Sequence, residues 1–266
     1  MSTGQNEPKP KKIWPAFVSV ALALSAGALL FLGLTKGRPP QSAAPPQQLA
    51  AASNGPAAGS NASVKVVGTN QAPQTATDLE NKAVEMMAEG HVDEALAYLN
   101  RAVKMSPDDE TTHFNLAFAY SKAGRTEEAI KEYEEALKLF PDYSEAHNNL
   151  GNLLALQKKY DEAIGHFSQA IKLSPDNPNS LNNMGRILSI QGRPKEAISF
   201  FEDAIRLSPT YLEARCNLGN ALVTLGKPNE ALTEFREALR QAPNFPPAVK
   251  GLARSQAALS DKPAGK

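Results

Sequence analysis

Cysteine is nearly absent: Cys216 stands alone among 266 residues. That excludes an intrachain disulfide and any metal site built from several thiolates, and leaves a free thiol, either packed or turned into a groove. Histidine is scarce as well. His91, His113, His147 and His166 have no cysteine partners, so no metal site is expected. The chain also lacks a glycine-rich phosphate loop, a nucleophile motif and a pair of carboxylates set for acid–base work. Asp108, Asp109 and Glu110 follow a proline and suit a helix N-terminus. No catalytic activity and no cofactor are expected. Nor is there an excess of positive charge. Over the whole chain 28 basic residues balance 28 acidic ones, and within residues 76–245 there are 18 against 26, a net of −8. A nucleic-acid partner is disfavoured. The acidic residues, Glu127, Glu128, Glu132, Glu134 and Glu135 among them, read as a solvated outer face.

What the chain does have is a period. Ala95, Ala129, Ala163, Ala197 and Ala231 lie 34 residues apart, as do Pro107, Pro141, Pro175, Pro209 and Pro243. Five blocks, 76–109, 110–143, 144–177, 178–211 and 212–245, superpose without insertion or deletion, the mark of an array of like units. Position 8 of each block is small (Ala83, Ala117, Gly151, Gly185, Gly219) and position 20 is always alanine, so two helices can cross closely. Position 24 holds Leu99, Tyr133, Phe167, Phe201 and Phe235, large groups one turn beyond the alanine that fill the gap between helices. Position 27 is again alanine, and the proline five residues later stops the second helix because it lacks a backbone donor. Between the two helices, Gly90, Gly124, Gly192 and Gly226 suit a left-handed helix end, with Lys158 as the exception.

This pattern resembles the tetratricopeptide repeat family, whose signature sets a large residue, Leu-Gly, Tyr, Ala, Phe, Ala and Pro at fixed offsets in 34 residues. The resemblance implies an all-α fold, a right-handed superhelical solenoid of five helix pairs followed by a capping helix over 246–259 and a short tail over 260–266. The chain departs from the signature at position 4, where Leu79, His113, His147, Leu181 and Arg215 replace tryptophan. His113 and His147 are read as filling the tryptophan's packing site. Lys82 takes the place of a leucine and marks the first block as the frayed one. Past the fifth block, Val249, Leu252, Ala253 and Gln256 fall at first-helix offsets, so a sixth first helix is expected to cover the last apolar face.

The N-terminal part is of another kind. After a short tail, 1–12, residues 13–34 run 22 positions without a charge, enough at about 1.5 Å per residue to span the roughly 30 Å hydrocarbon core. The run is longer than a cleaved signal peptide needs, and the small-residue site at Ser42-Ala43-Ala44 lies well past its end. An uncleaved signal-anchor is expected. Lys9, Lys11 and Lys12 before it outnumber Lys36 and Arg38 after it, placing the N-terminus in the cytoplasm and the repeats outside it, in the periplasm if the source is bacterial. Ala23 and Gly27 form a small-xxx-small pair able to support helix pairing, the only hint of a homo-oligomer. Residues 35–75, rich in Pro, Ala and Gln, cannot bury a core and read as a disordered tether.

One column points to function. Position 6 of every block is asparagine: Asn81, Asn115, Asn149, Asn183 and Asn217. Asparagine is less favourable than alanine in a helix by about half a kcal/mol or more, so five in register need a further account. In a stacked array the first helices line the concave face, and an amide there offers one acceptor and two donors to the main chain of an extended peptide. The strings HNNLGNLL and RCNLGNAL are similar to the repeats of O-linked N-acetylglucosamine transferase, and that resemblance implies an asparagine ladder holding a peptide backbone. The catalytic domain of that enzyme has no counterpart here. Asn148 and Asn182 at position 5, Asn152, Arg186 and Asn220 at position 9, and Ser121 and Ser189 at position 12 extend a mixed polar lining. The alternative is that each ladder amide bonds a neighbouring helix and stiffens the array. The expected role is a membrane-tethered scaffold binding a protein or peptide partner. A polysaccharide-binding or export-complex component and a structural or oligomerising spacer remain as alternatives.

Overall fold

Two alanine columns set how near the helices come, and the structure buries all ten members completely, from Ala95 and Ala102 in the first block to Ala231 and Ala238 in the fifth. The computed structural model describes residues 75–260. They form eleven α-helices: α1 (Ala76–Glu89), α2 (Val92–Met105), α3 (Glu110–Lys122), α4 (Thr126–Leu139), α5 (Ser144–Leu156), α6 (Tyr160–Leu173), α7 (Pro178–Ile190), α8 (Pro194–Leu207), α9 (Leu212–Thr224), α10 (Pro228–Gln241) and α11 (Pro246–Ser260). Odd-numbered helices begin 34 residues apart, and so do even-numbered ones. Each odd helix packs on the even helix that follows it, and each even helix packs on the next odd one, giving an all-helical solenoid. No helix of the described residues is long and apolar enough to cross a membrane. The tail over 1–12, the expected membrane span over 13–34, the tether up to residue 74 and the tail beyond Ser260 lie outside the described residues.

Helix ends follow the sequence cues. Every even helix stops two residues before its proline, and the residue preceding the proline takes an extended φ near −135°, as at Ser106 and Phe140. The glycines between paired helices have φ of 73° to 85°, and Lys158 adopts φ 62° in their place. The first block is not frayed at its start. Thr75 Oγ1 accepts from the Asp78 N–H at 3.0 Å while the Thr75 N–H donates to Asp78 Oδ2 at 3.1 Å, a complete capping box that satisfies two otherwise orphaned donors.

The large residues at position 24 are all buried, and glycine is what lets three of them in. A Cβ on Gly151, Gly185 or Gly219 would stand 2.6 to 2.8 Å from the ring of Phe167, Phe201 or Phe235. The first block solves the same contact with Ala83 and the smaller Leu99, both buried.

Position 4 is where the tryptophan is missing, and the histidines there do fill a packing site, with polar ties added. His113 Nε2 donates to the Pro107 carbonyl at 3.0 Å and its Nδ1 faces Glu132 Oε2 at 2.7 Å. His147 Nε2 donates to the Pro141 carbonyl at 3.0 Å, so its Nδ1 is the acceptor for His166 Nδ1–H at 2.9 Å. Arg215 pairs with Glu234 at 2.9 Å in the same place. Burial holds both His147 and His166 below the usual histidine range, and for His166 the neighbouring imidazole adds to this. Among the described residues no cluster of three or more histidine, cysteine or acidic side chains is set to hold a metal.

Helix α11 does cover the end of the array, but with another face than expected. Ala248, Gly251 and Ser255 are buried and Leu252 packs against the core, whereas Val249 is 47% exposed and Ala253 and Gln256 face solvent. In the earlier units positions 4 and 8 of a first helix meet its own second helix, as His147 meets His166 and Gly151 meets Phe167. Helix α11 has none among the described residues, so only its inward side is covered.

Three stability measurements follow from this packing. Lys158→Gly relieves a left-handed side chain and should raise stability by about 1 kcal/mol in a thermal melt. Gly185→Ala forces a Cβ against the Phe201 ring and should cost about 1–3 kcal/mol; adding Phe201→Leu copies the Ala83–Leu99 arrangement and should restore much of the loss. The imidazoles of His147 and His166 bind fewer protons folded than unfolded. Their contribution is therefore fully present above the unfolded pKa of about 6.5 and is lost as pH falls below it. Asp142 and Glu162, which lie near the pair, oppose part of this shift. The variant His147→Leu with His166→Phe copies Leu181 and Phe200 of the fourth block, and its Tm should fall less between pH 7.5 and 5.5 than that of the parent.

Candidate binding groove

First helices touch one another along the array: α1 meets α3, α5 meets α7, α7 meets α9, and α9 meets α11. They line one side of the array, and the asparagine column lies on them. The structure divides that column. Asn81 is exposed, Asn115 and Asn183 are buried, and Asn149 and Asn217 are half-buried. Three of the five amides are tied to other helices. Asn149 Nδ2 donates to the Tyr133 hydroxyl at 3.2 Å, Asn183 Nδ2 to Asn148 Oδ1 at 3.1 Å, and Asn217 Nδ2 to Asn182 Oδ1 at 2.9 Å. Asn182 in turn donates to the Tyr211 hydroxyl at 3.2 Å. Asn148 and Asn182, both buried, thus receive the ladder amide of the next unit. The ladder braces consecutive first helices, and each bond of this kind is worth about 0.5–1.5 kcal/mol. Asn115 Oδ1 is different: it is buried and finds no partner.

The open part of the face is set by positions 9 and 12. Between α7, the start of α8, and α9 lies a cavity of about 230 Å³. Arg186, Ser189, Asn217 and Asn220 supply its polar wall, and Ile190, Phe201 and Thr224 its apolar one. Arg186 is half-buried, and burial pushes its guanidinium below the usual arginine value. Its Nη1 donates to Asn183 Oδ1 at 3.3 Å. Ser189 Oγ is buried without a partner. Asn152 is buried, and Asn220 Oδ1 accepts from Arg254 Nη2. Of the ten expected lining residues, then, Asn217, Arg186 and Asn220 come together at this cavity, while Asn148, Asn182 and Asn183 support it from behind. Asn81 stands apart at the other end of the array.

Several contributors were not marked by the sequence reading. Arg254 was findable, since the 34-residue step from Asn152, Arg186 and Asn220 lands on it. Tyr133 carried no such signal, because the other members of its column, Leu99, Phe167, Phe201 and Phe235, have no hydroxyl, and Tyr211 sits in a mixed column with Asp109, Tyr143, Asn177 and Phe245. Cys216 is buried, and that burial pushes its thiol up to about 12, the environment of a packed rather than an activated thiol.

Three family models described as tetratricopeptide repeat match residues 114–178, 166–199 and 188–259. A bacterial transcriptional activator domain model matches residues 54–143. No catalytic family is among these matches, and no curated protein matches the sequence. Among solved structures, PilF of Pseudomonas aeruginosa aligns with a TM-score of 0.63 at 20% identity, over 70% of this chain and 85% of its own. MamA from Desulfovibrio magneticus RS-1 aligns at 0.59 and 19%, over 64% and 97%. YrrB, described as a tetratricopeptide repeat protein with an unusual peptide-binding site, aligns at 0.51 and 24%, over 62% and 93%. At such identities the structures speak for the fold alone, an all-helical solenoid, and the family models mark tetratricopeptide repeats within residues 114–259.

Proposed function

We propose that this protein is a membrane-tethered scaffold whose five repeats and capping helix hold an extended segment of a protein partner along the first-helix groove. The observation that carries this reading is the cavity between α7 and α9. It combines half-exposed amides, a hydroxyl without a partner and an apolar wall, the mixture that a peptide with alternating main-chain and side-chain demands requires. The internal bonding of Asn183 and Asn217 supports a rigid floor rather than a set of free contacts. Such a floor lowers the ordering cost of binding. The description of YrrB as having a peptide-binding site agrees with this use of the fold.

The tether belongs to the same proposal. The charge-free run over 13–34 anchors the chain, the lysines before it keep the N-terminus cytoplasmic, and the Pro- and Ala-rich residues 35–75 hold the repeats off the outer surface. Its reach is about 35 Å as a flexible chain. A partner captured there is concentrated at the membrane for assembly, secretion or maturation.

The test uses the amides that remain half-exposed. Full-length protein in detergent is compared with the variant Asn149→Ala, Asn217→Ala and Asn220→Ala by quantitative affinity capture from the source cells. Loss of these amides should lower at least one captured partner by roughly tenfold or more; Tm falls as well, because the Asn149–Tyr133 and Asn217–Asn182 bonds, about 0.5–1.5 kcal/mol each, are lost, so circular dichroism checks that the variant is folded at the capture temperature. Partners retained in full by a folded variant would move recognition off the groove.

A further inference from the structure

Several surface cations of this array are neutralised one turn away. Lys82 with Glu85, Arg125 with Glu128, Lys138 with Glu135, Arg193 with Glu196 and Arg240 with Glu237 are all paired at 2.6 to 2.7 Å. Arg186 is neither paired in this way nor fully exposed. It is drawn into the cavity wall, and no carboxylate of the described residues lies within ion-pairing distance of it; its bond to Asn183 Oδ1 is long, at 3.3 Å. A guanidinium offers five donors, and withdrawing it from water without a counter-charge is costly. Three further facts lie beside it. Ser189 Oγ lines the same cavity and is buried without a partner. Asn217 and Asn220 present amides across from it. Arg254 reaches Asn220 Oδ1 from α11 and is likewise unpaired with any described carboxylate. In an array that carries a net charge of −8 over residues 76–245, an arginine without an acidic partner in the cavity wall and a second one bonded to a lining amide form a local centre of the opposite sign.

We propose that this cavity receives the carboxylate of an aspartate or glutamate side chain from the segment held in the groove, with Arg186 as its fork-shaped cation and Ser189 Oγ and the Asn220 amide as further donors. The proposal rests on the groove reading and names the chemistry that selects the ligand. A planar carboxylate matches the guanidinium fork with two parallel hydrogen bonds. The methylene stem of the acidic residue lies against Ile190 and the Thr224 methyl, and Ile190 is 55% exposed and free to take it. The cavity sits partway along the lined face, with α5 and its Asn152 on one side and α11 with Arg254 on the other. A chain therefore has lined surface in both directions, which fits an acidic side chain within a segment rather than a terminal carboxylate.

A displayed library of random nine-residue segments, flanked on both sides so that no chain end is free, separates the outcomes. It is selected against the full-length protein in detergent and against Arg186→Met, which keeps an unbranched stem of similar reach and removes the charge. Far-ultraviolet circular dichroism confirms that the variant is folded; if it is not, Arg186→Gln replaces it. The expected result is that the parent enriches aspartate or glutamate at one position and the variant selects segments without that preference. The best acidic segment, measured by fluorescence anisotropy, should then bind the variant at least about tenfold more weakly, while its Asn or Gln version binds parent and variant alike. Selected segments with no acidic position, or with one that survives in the variant, overturn the carboxylate site and leave the groove reading intact. Segments that bind only when a free C-terminal carboxylate is restored overturn it in favour of end recognition. Failure of the parent to enrich any segment overturns the groove reading and this proposal together.

Discussion

The contact between the large residue at position 24 and the small one at position 8 is the constraint on which the rest of the array depends. Where the small residue is glycine, the phenyl ring lies nearer to the facing backbone than any Cβ would permit. Fully burying one such ring is worth about 1.5–3 kcal/mol, and its near approach fixes how closely the paired helices cross. The ring also works outward. A Cβ on Gly251 of α11 would stand 2.1 Å from Phe235, the same ring that packs on Gly219. At the end of the array this one aromatic side chain thus joins its own unit to α11, whose Gly251 stands where the earlier first helices carry the asparagine column. The 34-residue interval between first helices is the same throughout.

With that interval fixed, the polar residues around it are free to differ from unit to unit. The contact between position 4 and the facing second helix is made by His113 with Glu132, by His147 with His166 and by Arg215 with Glu234. All three position-4 side chains also donate to the carbonyl of the preceding proline. The tryptophan of the repeat signature serves one site. Here that site is filled by different chemistries joined by one shared hydrogen bond to the backbone, and the histidine pair makes its unit sensitive to mild acid.

The same fixed interval gives the asparagine column its meaning. An amide at position 6 reaches the position-5 residue of the preceding unit, 35 residues back, and bonds it wherever that residue is asparagine. Where position 5 is Phe114, as it is for Asn149, the amide turns instead to Tyr133. The ladder is therefore in large part a brace between units. The groove chemistry passes to the side chains just beyond it, Arg186, Ser189 and Asn220, which the brace holds in place around the cavity.

Sequence by itself determined the period, the helix pairs, the left-handed glycine turns, the proline stops and the glycine–phenylalanine contacts, while Lys158, an exception in the glycine column, proved left-handed only in the structure. Each is a local or fixed-separation requirement that repeats five times and so stands out from composition. It also named Asn217, Arg186 and Asn220 as lining residues. Only the tertiary structure decided that Asn183 and Asn148 bond each other, that α11 buries Ala248, Gly251 and Ser255 rather than Val249 and Ala253, and that Arg186 meets an unpartnered Ser189 in a cavity. These outcomes turn on which neighbour a side chain finds across a unit boundary. A repeat pattern gives the spacing of those neighbours, but the partner of each amide and the free face of a terminal helix are set by what packs beside them.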